Sequence, residues 1–246
     1  MRRIRRPGQT PTVLSERSRR RRREQLLRSL RPWASGVALV ALVGFAIWAV
    51  AFSTWLAVSH VNVTGERVVS ERAVLRAAKV PNGRPLVRVD LDAIRRRVEA
   101  IPAVEQATVR RSWPQGLRII VAERVQVAVL RRAGRWYAVD RHGVVFRTLP
   151  RRTPGYPQID VSRTSAQLVG DAADVAASIP PTFVRQVQTI RAHSADSIEL
   201  VLARGRTVVW GSAHDSARKA QVAKVLLRTS ARIYDVSVPE LPATTQ

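Results

Sequence analysis

The chain has 246 residues, enough for one or two compact domains, and 46% of them are hydrophobic, enough to build a core. Its formal net charge is +24, and it has no cysteine. The last fact excludes disulfides, a Cys-ligated zinc and a thiol nucleophile, and leaves the compartment open.

The charge is uneven along the chain. Residues 1–31 hold twelve Arg and two Glu. Such a segment has too little apolar surface to offset the entropy of ordering, so it is predicted to be a disordered tail. From Trp33 to Ser59 no residue is charged. A helix over this run spans about 40 Å at roughly 1.5 Å per residue, against a hydrocarbon core of about 30 Å. Trp33 stands at one end and Trp55 near the other, where interfacial anchors belong. A buried core helix and a cleaved signal peptide are the alternatives. Ala57-Val58-Ser59 offers the small residues of a cleavage site, but the apolar region of a signal peptide runs only about 7–15 residues. The run therefore predicts an uncleaved transmembrane helix. Val13–Pro32 contains eight Arg and Ser59–Ala78 three, which puts the N-terminus in the cytoplasm and everything after Ser59 outside.

The outer part opens with a short alternating strand, Val61-Asn62-Val63, ending at Gly65. Ser70 is positioned to cap a helix with Glu71 in its first turn, and Val74, Ala77 and Ala78 share its apolar face. Asp90 caps a second helix with Leu91, Ile94 and Val98 on one side and Arg95, Arg96 and Arg97 mostly on the other; Pro102 stops it. Two strands follow, Val104–Arg111 and Leu117–Glu123, with Leu117, Ile119 and Val121 facing one way. The order is strand, helix, helix, strand, strand.

Beyond Glu123 the pattern is mostly strand: 125–132, then 134–149 with a hairpin turn at Asp140–Gly143, where Gly143 suits a positive φ. Ala166–Ser178 reads as a short helix. Val184–Arg191, Ser197–Leu202 and Thr207–Trp210 read as strands. Ser216–Arg228 reads as an amphipathic helix with Ala220, Ala223, Val225, Leu226 and Leu227 buried, and Ile233–Val238 as a final strand ended by prolines.

Little in the chain suggests chemistry. The four His lack metal-ligand spacing. His214-Asp215-Ser216 has the residues of a triad, but a triad converges from separate parts of a fold, so the expectation here is a loop leading into a helix cap at Asp215 or Ser216. There is no phosphate loop. Nucleic-acid stacking by Val109–Glu123, with its Trp113-Pro114 pair, would need several aromatics on one basic face, and aromatics are 5% of the chain. Trp113 is expected to plug the end of the hairpin. The reading is a protein that is not an enzyme, with no cofactor, no metal and no nucleic-acid partner.

Val61-Asn-Val-Thr-Gly65, Ile101-Pro-Ala-Val104, Val109-Arg-Arg-Ser-Trp-Pro114 with Leu117–Glu123, and Tyr137–Gly143 together resemble the FtsQ/DivIB family of bacterial division proteins. The likeness covers roughly residues 33–240 and is closest up to Val145. It implies an α+β fold: a single transmembrane helix, a POTRA module of the order given above, and a mostly antiparallel β domain with short helices. The segments would be a cytoplasmic tail 1–32, the helix 33–58, the POTRA domain 59–125, the β domain 126–240 and a C-terminal tail 241–246. It also implies a single-pass protein of the plasma membrane at the division septum. Its partners would be small single-pass proteins of the FtsB and FtsL type and, through them, the complex that makes septal peptidoglycan. The strand Ile233, Tyr234, Asp235, Val236, Ser237 and Val238 falls where the family binds its partner. As the last regular element it is expected at a sheet edge, where free N–H and C=O groups template another chain. The alternative is a membrane-tethered binder of nucleic acid or anionic lipid working through the Arg-rich tail, whose affinity would fall steeply with salt.

Overall fold

The computed structural model describes residues 36–45, 48–49, 56–162 and 165–246. The tail 1–32 and both expected anchor residues, Trp33 and Trp55, lie outside these. Residues 36–45 and 48–49 are helical, and among the described residues no helix is long and apolar enough to cross a membrane.

The chain divides into two compact units. The first joins the segment ending at Ser59 to Pro81–Val89 and Trp113–Gln115. Backbone bonds hold it: Val58 N to Arg84 O (3.1 Å), Gly83 N to Val58 O (3.3 Å) and Ser59 N to Gln115 O (2.9 Å), with a bridge between Ala57 and Pro85. A 3-10 turn at Leu86–Arg88 buries Leu86. Trp113 departs from expectation: it is 55% exposed, not buried as a plug. The last strand pair of its hairpin is Ser112 with Gly116, so Trp113 and Pro114 fall past the final rung.

The second unit contains two sheets. The first is built from β1 (His60–Thr64), β2 (Val104–Ser112) and β3 (Gly116–Glu123) in the order β1-β3-β2. β1 runs parallel to β3 and β2 antiparallel to it. Parallel neighbours need a long crossover, and two helices lie in it: α1 (Glu71–Ala78) and α2 (Leu91–Glu99). This is the predicted strand, helix, helix, strand, strand order. Leu117, Ile119 and Val121 are buried, as are Val74, Ala78, Ile94 and Val98 on the helices. Asp90 caps α2 by accepting from Ala93 N at 2.9 Å. Ser70 does not cap α1 with its side chain; only its backbone oxygen accepts from Ala73 N and Val74 N. Arg97 Nε donates to Ala78 O at 2.9 Å, placing a cation at the C-terminus of α1, where the dipole favours it.

The larger sheet comprises β4 (Gln126–Arg132), β5 (Arg135–Asp140), β6 (Val145–Leu149), β7 (Gln158–Val161), β8 (Val187–Ser194), β9 (Ser197–Leu202), β10 (Thr207–Gly211), β11 (Ile233–Asp235) and β12 (Ala243–Thr245). Their order is β12-β11-β10-β9-β8-β7-β4-β5-β6. Most junctions are antiparallel, but β4/β7, β7/β8 and β10/β11 are parallel. The last two parallel junctions call for crossovers, and α3 (Ala166–Ser178) and α5 (Ser216–Leu226) provide them. A short helix, α4 (Pro181–Val184), takes the residue Val184 that the sequence suggests for a strand start, because Pro181 at its first position favours a helical turn. α3 packs on β4, β7, β8 and α5. The core between helices and sheet includes Ile190, Leu200, Trp210 and Tyr234, all fully buried. Val225, expected in that core, is 63% exposed, while Lys219 on the same helix is buried.

Gly65, at the exit of β1, has φ +93°, and a Cβ there would run into the carbonyl oxygen of Val121. Gly65→Ala is therefore expected to destabilise the smaller sheet by about 2 kcal/mol or more, through backbone strain and steric overlap together. Chemical denaturation measures it; a change under half that size would contradict the packing described.

Candidate functional site

The end of the chain differs from the expected single strand. β11 stops at Asp235, because the Asp235 carboxylate accepts from both Ser237 N (2.9 Å) and Ser237 Oγ (2.6 Å), and such local side-chain bonds compete with a strand ladder. Tyr234 and Val236 are fully buried, and Val236 N donates to Val209 O at 3.0 Å. Tyr234 Oη donates to Thr229 O at 2.9 Å. Ile233 and Val238 are 44% and 51% exposed. The chain turns through Pro239–Pro242, where Glu240 pairs with Arg218 (2.6 Å), and returns as β12. Ile233 thus lies opposite Thr245, Tyr234 opposite Thr244 and Asp235 opposite Ala243. β11 is consequently an interior strand, flanked by β10 and β12, and the expectation of an edge is corrected at Ile233–Asp235, where β12 takes the edge; Val236–Val238 continue past β11 without a β12 partner. Ala243, Thr244 and Thr245 are all exposed, and their outer side pairs with no strand among the described residues. The sequence reading missed β12 because its three polar and small residues carry no hydrophobic alternation.

A second constellation joins the two sheets. Asp140 is 1% exposed and its two oxygens divide their work. Oδ1 accepts from His142 N (3.0 Å) and Val144 N (2.8 Å), closing the β5–β6 turn. Oδ2 accepts from Arg124 Nη1. Arg124 in turn donates from Nε to Pro102 O (3.1 Å) and from its backbone N to Ala103 O (2.9 Å). His142 Nε2 lies 3.4 Å from Glu105 Oε1, a further link between the sheets when the imidazole is protonated. Gly143 has the positive φ expected of it (+76°), and a Cβ there would meet the Gly170 backbone of α3 at 2.6 Å.

One residue before Arg124, Glu123 clasps the loop after β1. Its carboxylate accepts from the backbone N–H of Arg67 (2.8 Å), Val68 (2.9 and 3.0 Å) and Val69 (2.8 Å). Desolvation pushes its pKa up, but these three amides and the Arg67 guanidinium outweigh it and hold the group below the ordinary carboxylate value. Beside the clasp a cavity of about 500 Å³ is lined by Arg67, Val68, Arg124, Phe146, Arg147 and Tyr156, among others.

The remaining sequence candidates resolve into structure. Ser216 is buried; its Oγ donates to Ala213 O (2.7 Å) and accepts from Trp210 Nε1 (3.0 Å), so it is a core hydrogen-bonding group. Asp215 occupies the N-cap position in a left-handed conformation without a side-chain cap bond. Lys219 Nζ donates to Ser212 O at 2.9 Å; burial lowers its pKa and Asp215 partly restores it. Burial raises the pKa of the Asp171 carboxyl, and the charges of Asp174 and Asp196 push it further.

The family described as "POTRA domain, FtsQ-type" matches residues 56–124, and that described as "Cell division protein FtsQ/DivIB, C-terminal" matches 128–238. Among relatives, "Cell division protein FtsQ" of Streptomyces collinus is 36% identical over 84% of this chain and 84% of its own length. The protein of the same description from Streptomyces bingchenggensis is 36% identical over 92% of this chain and 89% of its own. That of Mycobacteroides abscessus is 38% identical over 84% of this chain and 67% of its own.

Two outcomes are expected of the junction. Asp140→Ala removes the partner of Arg124 and of two turn amides, and should cost about 3 kcal/mol in chemical denaturation; a loss under about 1 kcal/mol would show that the two sheets do not depend on it. Glu123→Gln should cost about 1–2 kcal/mol at neutral pH, a value discounted for the partial exposure of the carboxylate. The folded pKa of Glu123 is depressed, so its contribution is present above the unfolded value and is lost as pH falls through the folded one. Acid titration of stability should therefore be shallower in the variant than in the parent protein, and parallel curves would refute the clasp.

Proposed function

The chain belongs to the FtsQ/DivIB family of cell-division proteins, and from that premise we propose that it is a non-enzymatic, membrane-anchored scaffold of the division machinery. Residues 33–58 serve as the anchor, 1–32 as a cytoplasmic tail, and 59–125 and 126–240 as the outer POTRA and β domains. The partners are small single-pass division proteins of the FtsB and FtsL type. Binding them at the septum helps recruit and regulate peptidoglycan synthesis there.

The observation that carries the binding mode is the edge. β12 presents an exposed outer side, and strand addition there would supply main-chain hydrogen bonds without any rearrangement of the core. The segment Ile233–Val238 is the foundation of that site: Tyr234 and Val236 fix β11 in the core, and β11 holds β12 in register. The engagement of Ser216 with Trp210 and Ala213 accounts for the hydroxyl of the His214-Asp215-Ser216 run as a structural group.

Deletion of Ala243–Gln246 tests the edge. All three β12 residues are exposed, so the core should melt almost unchanged, while affinity for the extracytoplasmic segment of an FtsB-type partner should fall by on the order of tenfold or more, or about 1.4 kcal/mol. Unchanged affinity would place the partner elsewhere. Tighter binding would mean that β12 competes with the partner for β11.

A further inference from the structure

The first unit has a composition that the strand-edge reading does not use. Trp113 and Val87 are 55% and 43% exposed. Arg88, next to Val87 in sequence, and Arg84, earlier in the same segment, are exposed. The described residues of this unit include these two arginines and no Asp or Glu, so its charge is positive. The same unit contains the end of the long uncharged run: Ser59 N bonds to Gln115 O, and Val58 exchanges bonds with Gly83 and Arg84.

Chain length permits the placement. Ser59 is four residues from Trp55, so the two are separated by at most about 14 Å, and Trp113 is two residues from Gln115, at most about 7 Å. The layer of headgroups on each side of a bilayer is roughly 5–8 Å deep. If the uncharged run crosses the membrane, Trp113 and Val87 are tethered within reach of that layer. An indole is favoured there, and a unit of net positive charge suits anionic headgroups.

We propose that this unit is a second membrane contact: Trp113 and Val87 enter the headgroup layer on the outer face of the bilayer, and Arg84 and Arg88 meet anionic phospholipid headgroups. The proposal rests on the anchor reading given above. It assigns Trp113 a lipid contact in place of the plug expected from sequence, and it makes the hairpin turn a foot on the membrane surface.

The absence of cysteine permits a clean test. The full chain is reconstituted in vesicles of phosphatidylcholine and phosphatidylglycerol, with a polarity-sensitive fluorophore on a single introduced cysteine: Ser59→Cys for the anchor, Asn82→Cys for the foot, or Ala195→Cys on the exposed β8–β9 turn as control. Lipids spin-labelled near the headgroup quench whatever lies at that depth. The Ser59 and Asn82 labels should both be quenched, with Asn82 at least about twofold above Ala195. Adding Trp113→Ala should bring the Asn82 label down to the Ala195 level without altering melting, since Trp113 is exposed. Removing phosphatidylglycerol, or replacing Arg84 and Arg88 by Gln, should lower the Asn82 signal toward the Ala195 level. Quenching at Ser59 with Asn82 no higher than Ala195 would overturn the foot and leave the anchor standing. Quenching at neither position would overturn both. Quenching of Asn82 that ignores Trp113→Ala would overturn the role of the indole.

Discussion

The Arg124–Asp140 pair is the constraint on which the arrangement of the two sheets rests. Neither partner is committed to a single contact. Arg124 also binds the carbonyl of Pro102, and Asp140 also binds two amides of the β5–β6 turn. A carboxylate this buried is costly unless its lone pairs are filled, and here they are. The pair therefore fixes direction as much as it adds stability: it ties the strand leaving the smaller sheet to the β5–β6 turn of the larger one. Glu123, one residue earlier, fixes the loop after β1 in a similar way, with backbone amides in place of a guanidinium.

Much of the fold was legible in the sequence, for reasons that can be named. Leu117, Ile119 and Val121 alternate with Arg118, Ile120 and Ala122, and a period of two has one physical meaning. The α3 boundaries are readable because Ser165 precedes an apolar run and Pro180 follows it. What could not be read were features that depend on partners distant in sequence. Nothing local to Arg124 or Asp140 announces their pairing across sixteen residues. The parallel β10–β11 junction gives Tyr234 a neighbour on one side, and only the returning tail supplies the other.

The place of Ile233–Val238 in the sheet was harder to read. The alternation Ile-Tyr-Asp-Val-Ser-Val has the period of one strand, yet the Asp235 side chain bonds its own neighbour two residues on and ends the ladder early. That leaves room for the tail to fold back and take the edge. Trp113 escapes the sequence for a different reason. Its neighbours say that a turn lies there, but whether an indole at a strand end finds a cover depends on where the pairing stops. Here it stops at Ser112 and Gly116, leaving the indole beyond the sheet.

The larger sheet has a narrow waist. β7 is four residues long and meets β4 through two registered pairs, Val129 with Gln158 and Leu130 with Ile159. On one side stands the β4–β6 meander, bolted to the smaller sheet; on the other stands the β8–β12 block that ends in the exposed edge. α3 spans the waist, packing on β4, β7 and β8 like a splint across a fracture line. Mechanical load passing from the C-terminal edge toward the smaller sheet must cross this seam, so the short β4–β7 pairing and the helix laid over it together set how much tension the sheet bears before it parts.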